Sequence, residues 1–90
     1  MTESKLQTIE DCGRCQFTIE ETAMILEVTV KSLREQMNNP QSDAYRHYHK
    51  GRLQTIFEVR MSIIDMAKKG STQAQEMFIT LMKNLKMQES

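Results

Sequence analysis

Residues 19–34 read Ile19-Glu20-Glu21-Thr22-Ala23-Met24-Ile25-Leu26-Glu27-Val28-Thr29-Val30-Lys31-Ser32-Leu33-Arg34, and the reading of the fold starts there. Thr18, just before the stretch, can accept from a helix N-terminus while Glu21 reaches back, a T-x-x-E capping box. Phe17 ahead of the cap fits the entry geometry, and Glu20 and Glu21 in the first turn suit the positive end of the macrodipole. Ile19, Ala23, Ile25 and Leu26 follow as apolar positions, so a helix is expected over about residues 19–27. Val28-Thr29 makes a tight break. Thr29 then caps a second helix over about residues 30–37, with Leu33 and Met37 four apart on one face.

Two short helices joined this tightly read as a helix-turn-helix. Ala23 is the small residue where the helices cross, and Leu26, Val28 and Leu33 supply the buried sides. In such a motif the second helix lies in the major groove with its N-terminal side chains near base edges. That places Thr29, Lys31, Ser32 and Arg34 toward DNA, with Arg34 suited to a bidentate guanine contact and Lys31 to a phosphate. Some positions depart from the pattern. Glu27 stands where glycine often allows the turn, Thr22 and Gln36 stand where apolar residues are common, and Glu35 opposes tight binding. The competing reading is a helical corner that binds nothing.

Outward from this stretch the chain stays helical. Leu6 and Ile9 mark a short helix over about residues 4–12, with Gly13 placed to end it. Asn38-Asn39-Pro40 stops the helix before it, since proline cannot continue a helix and restricts its predecessor. A long helix is expected from near Asp43 to Lys68-Lys69, ahead of Gly70. Its stripe is Leu53, Ile56, Phe57, Arg60, Ile63, Ile64 and Ala67, and Gly51 is an interior weak point. Ser71 or Thr72 starts a last helix bearing Ala74, Met77, Phe78, Leu81, Met82 and Leu85. Two helices joined by a very short turn pack antiparallel. The expected fold is all-α: a helix-turn-helix domain over residues 1–40 and a helical hairpin over residues 41–90. The hairpin is the expected self-association element, through Leu53, Ile56, Phe57, Ile63, Ile64, Met77, Phe78, Leu81 and Leu85.

Composition agrees with this division. Hydrophobic residues are 39% of the 90 and aromatics 6%, a modest core that subunit contacts would supplement. The formal net charge is zero, yet residues 1–27 carry six acids and two bases while residues 28–52 carry five bases and two acids. A polarised chain presents a basic face despite a neutral total. Within the basic part, Tyr45-Arg46-His47-Tyr48-His49-Lys50-Gly51-Arg52 interleaves aromatics and bases. Arg46, Lys50 and Arg52 are candidate phosphate partners; alternatively, Tyr45 and Tyr48 pack inward and the charges are solvated.

Other chemistries find little support. Cys12-Gly13-Arg14-Cys15 is a lone C-x-x-C, whereas a structural zinc site wants four ligands. His47 and His49, the only histidines, splay apart at i,i+2 on a helix. The two thiols are expected to be small, half-buried side chains at a turn, with no metal and no cofactor. No glycine-rich phosphate loop or nucleophile–base pair stands out, so a non-enzymatic protein is expected. The N-terminus has no apolar signal-peptide core, and no apolar run reaches membrane-spanning length. A soluble, cytoplasmic protein with reduced cysteines and no membrane partner is the expectation.

With these elements in order, the chain resembles the small terminase subunits of tailed bacteriophages over about residues 17–86. The resemblance is carried by the compact pair of helices at residues 17–37, then Ala44-Tyr45-Arg46-His47-Tyr48-His49-Lys50-Gly51-Arg52 opening a long helix. Glu58-Val59-Arg60, Met66-Ala67-Lys68-Lys69-Gly70-Ser71-Thr72-Gln73-Ala74 and the final apolar helix complete it. The resemblance implies a non-catalytic subunit that assembles into a ring and binds double-stranded viral DNA near its packaging site. It also implies recruitment or regulation of the large terminase subunit, an ATPase-nuclease, in the host cytoplasm. Larger members of that family carry a C-terminal segment that docks on the motor or portal. Here either the last helix supplies that surface or the contact is made differently. A dimeric helix-turn-helix transcriptional regulator, and an adaptor that uses the hairpin and never touches DNA, are the alternatives.

Overall fold

The computed structural model describes the backbone of residues 1–89 and the side chains of residues 1–85. Within them the chain is all-helical, with five helices and no strand. They are α1 (Glu3–Arg14), α2 (Ile19–Leu26), α3 (Val30–Met37), α4 (Asp43–Lys68) and α5 (Thr72–Glu89).

Local chemistry sets most of the ends. The Thr2 hydroxyl accepts from the Lys5 N–H at the start of α1. Thr18 and Glu21 form the reciprocal capping box of α2, and Thr29 accepts from the Ser32 N–H at the start of α3. For α4 the cap is Ser42, whose hydroxyl accepts from the Tyr45 N–H and donates to the Gln36 carbonyl, leaving Asp43 as a first-turn acid.

Three helices end alike. At α1 the Phe17 N–H returns to the Cys12 carbonyl and the Gln16 N–H to Gly13. At α2 Val28 returns to Ala23 and Glu27 to Met24, and at α4 Ser71 returns to Met66 and Gly70 to Ala67. This is the Schellman pattern, which turns on one left-handed residue and satisfies carbonyls that the helix leaves open. Those residues are Gln16 (φ 62°), Glu27 (φ 59°) and Gly70 (φ 96°). The expectation that Gly13 ends the first helix is therefore corrected. Gly13 lies inside α1 and is buried, and Gln16 makes the turn.

The chain divides into two compact units. The first, Met1–Thr55, is built on Ile9, Ala23, Leu26, Leu33, Met37, Ala44 and Tyr48, with Leu6, Ile19, Val28 and Tyr45 packed around them. It reaches beyond residue 40 because Ala44, Tyr48 and Gly51 bury one face of the opening turns of α4. Helices α1 and α4 cross at two glycines in reciprocal fashion. A Cβ on Gly13 would overlap the Tyr48 carbonyl oxygen and one on Gly51 the Glu10 carbonyl oxygen. Backbone meets backbone there, an approach only glycine permits. The seam is pinned by three bonds: Tyr48 Oη donates to the Phe17 carbonyl, Thr55 Oγ1 to the Arg14 carbonyl, and the Gln16 amide to the Arg52 carbonyl.

In the second unit, from Ile56 onward, Ser71 caps α5 through the Ala74 N–H, and the Gln75 amide donates to the Ala67 carbonyl. Ala74 is buried, while Ile56, Ile63, Ile64, Phe78, Leu81 and Leu85 are half-buried. A groove of about 440 Å³ between the two helices is lined by Val59, Ile63, Met66, Ala74 and Met77 among others. No helix among the described residues is long and apolar enough to cross a membrane.

Candidate nucleic-acid interface

The α2–α3 pair separates its residues by face. Leu33 and Met37 point into the core, while Thr29, Lys31, Ser32, Arg34 and Glu35 are exposed. Ala23 is fully buried where α2 packs on its neighbours. Thr22 is fully buried as well, and its hydroxyl is satisfied by donating to the Thr18 carbonyl at 2.8 Å. A polar residue is therefore tolerated where apolar ones are common. Glu27 takes the left-handed conformation that the turn needs, despite its Cβ. Ile25, counted among the apolar positions of α2, is half exposed and Met24 is 81% exposed, so both lie on the outer side.

Two features of the α3 face were not legible as such in the sequence. The Thr29 hydroxyl is engaged as the cap of α3, leaving its proton and one lone pair free for a partner. Arg34 forms an ion pair with Glu20 from the first turn of α2, both side chains about half exposed. Lys31 makes no ion pair among the described residues, so it is the more available cation of the two.

The second cluster partitions along α4. Tyr48 is buried and Tyr45 half-buried, as the inward-packing reading has it, while Arg46, Lys50 and Arg52 remain exposed. The His49 ring lies 4.2 Å from that of Tyr45 and edge-on to Tyr48 at 5.3 Å. Arg52 sits over the Tyr48 ring at 5.9 Å. Burial, helped by the Arg52 charge, holds the His49 imidazole below its ordinary value. Arg46 and Lys50 are one turn apart and share a face, but Arg52 lies round the helix from them. The three do not form one patch.

Glu10 on α1 is a residue that sequence reasoning missed. It is only 14% exposed, takes His47 Nδ1 at 3.1 Å and stands 3.9 Å from Lys50 Nζ. A carboxylate accepts, so the contact is a hydrogen bond in the tautomer that has its proton on Nδ1. Lys50 thus already has a carboxylate beside it. Nothing short-range marks this contact, because 37 residues separate Glu10 from His47.

Cys12 is buried within α1 rather than half-buried at a turn, and burial pushes its thiol up; Cys15 is exposed at the helix end. Among the described residues no three of His, Cys, Asp and Glu gather to hold a metal ion. Of the residues expected to mediate self-association, Leu53 is exposed in the first unit. In the second, Phe57 and Met77 are exposed and the others half-buried.

No family model, curated protein or solved structure matches this chain.

Proposed function

We propose that this chain is a non-catalytic, helix-turn-helix protein that binds double-stranded DNA through α3 and self-associates through an antiparallel hairpin made by the end of α4 with α5. The observation that carries the reading is the sorting of α3. Leu33 and Met37 anchor it, and its capped N-terminal turns offer Lys31, Ser32 and Arg34 to solvent. A helix held this way presents side chains and an N-terminal dipole to an anionic groove. Arg46 and Lys50, on one face of α4, supply further phosphate contacts. For the hairpin, Phe57, Val59, Met66, Met77, Ile79 and Met82 are all more than two-fifths exposed, apolar side chains that a second copy would cover.

Within that class the reading that best unites both units is a DNA-packaging recognition subunit, as the sequence resemblance to small terminase subunits implies. Copies arranged in a ring would hold many weak α3 contacts at high effective concentration. The large terminase subunit is the corresponding protein partner, and the host cytoplasm the place of action.

The test pairs native mass with duplex binding. A closed assembly well above a tetramer is the expected mass; a discrete dimer would favour a regulator reading paired half-sites instead. Binding should weaken steeply with salt, and Lys31→Ala should lower the slope of log K against log salt by roughly 1, one phosphate contact. The double variant K31A/R34A should lose binding and keep the native mass. Binding that survives in the double variant refutes α3 as the recognition helix, and wild-type protein that never binds DNA leaves an adaptor role.

A further inference from the structure

Glu20 sits in the first turn of α2, where a carboxylate suits the helix dipole, but that role does not require its reach to α3. The α2 capping box uses Glu21, whose carboxylate accepts from the Thr18 N–H at 2.9 Å. Glu20 instead reaches across to α3 and pairs with Arg34. Both side chains are about half exposed, and an exposed ion pair adds little to stability. An acid beside the groove-facing helix of a DNA-binding protein also repels phosphates. The reach to Arg34 thus has a cost for affinity and adds little stability beyond what the first-turn carboxylate already gives.

We propose that Glu20 is a positioning residue that sets sequence discrimination by holding Arg34 for a base edge and away from the backbone. This inference rests on the DNA-binding reading of α3. Arginine loses considerable rotamer freedom when it engages, and guanine recognition needs its planar fork in one orientation. The Glu20 carboxylate engages one nitrogen of that fork and biases its orientation in the free protein, leaving the remaining N–H donors to the base. It also penalises the competing pose. If Arg34 swung to a phosphate, Glu20 would be left unpaired beside the polyanion. Phosphate contacts are made on any sequence, so closing that route lowers non-specific binding more than specific binding.

The test uses two duplexes of equal length: one selected by the wild-type protein from a randomised pool, the other a scramble of it. Glu20→Gln removes the charge and keeps the shape. It is expected to tighten binding to the scramble and to reduce the ratio of selected to scrambled affinity roughly fivefold, with a salt slope steeper by about 1 as Arg34 gains a phosphate. Glu21→Gln is the charge-matched control, since glutamine still serves the capping box; it should leave the ratio unchanged. In an Arg34→Ala background Glu20→Gln should no longer alter the ratio. Equal effects of E20Q and E21Q on both duplexes would reduce Glu20 to a generic surface charge and overturn the inference while leaving the DNA-binding reading intact. Wild-type protein that binds neither duplex better than K31A/R34A overturns that reading, and the inference falls with it.

Discussion

Replacing Gly51 by alanine sets two effects of opposite sign against each other. In a helix interior alanine is favoured over glycine by about 1 kcal/mol, so on local grounds G51A stabilises. The α1–α4 crossing reverses the sign. The new Cβ would overlap the Glu10 carbonyl oxygen and lie 3.0 Å from the Arg14 nitrogen. Both atoms are backbone and neither can rotate aside. The helices must part by on the order of an ångström, loosening Ile9, Cys12 and Tyr48, which are buried on the same two helices. Overpacking costs about 1–3 kcal/mol, and backbone against backbone belongs at the upper end. Setting the propensity gain against it leaves a net loss of about 2 kcal/mol, or roughly 10 °C in thermal midpoint for a domain of this size. Thermal and urea unfolding followed by far-UV circular dichroism measures it. G13A should behave alike, because its Cβ meets the Tyr48 carbonyl in the reciprocal geometry. Gly70→Ala is the contrast: nothing lies within 4 Å of that Cβ, and only its left-handed backbone opposes the change, at about 1 kcal/mol. A G51A protein as stable as the parent, or more stable, would refute the close crossing.

The turn between α2 and α3 should be improvable. Glu27→Gly relieves a left-handed residue that carries a Cβ and should add about 0.5–1 kcal/mol in urea unfolding, where a loss would show that the Glu27 side chain contributes something else. Tyr48→Phe removes the donor to the Phe17 carbonyl and should cost about 1–2 kcal/mol in the same assay; a neutral result would place water on that carbonyl. Stability should also fall on acidification through His49. Its folded value is held down by burial and by Arg52, so the unfolded chain takes up the proton more readily. The contribution is present above the unfolded value of about 6.5 and is lost as pH falls through the lower folded value. A His49→Gln variant should flatten that part of the urea-midpoint profile, and an unchanged slope would move the effect to another group. Finally, Phe57→Glu or Leu81→Glu should lower the native mass of the proposed assembly. An unaltered mass would sink the hairpin as the self-association element.

Helix boundaries were legible because their causes are short-range. The Thr18–Glu21 box, the Thr29 cap, the stop at Pro40 and the Gly70 turn all act within four or five residues. So does the spacing of Leu33 and Met37, which fixed the inner side of α3 and, by difference, the exposure of Lys31, Ser32 and Arg34. The same local logic misassigned Gly13. A glycine near a helix end most often makes the left-handed turn, and the sequence offers no sign that Gln16 takes that conformation instead.

Which residues meet was decided only by the tertiary structure. Gly13 and Gly51 are 38 positions apart, and each is explained by the other's helix: they allow two backbones to touch. The exposure of Arg34 could be read from its place in α3, but not its pairing with Glu20, which depends on how α2 and α3 cross. The exposure of Lys50 could be read from the sequence, but not the carboxylate of Glu10 beside it. Periodicity tells a helix which side to bury; only packing chooses the neighbour it is buried against, and with it the charges that tune the exposed side.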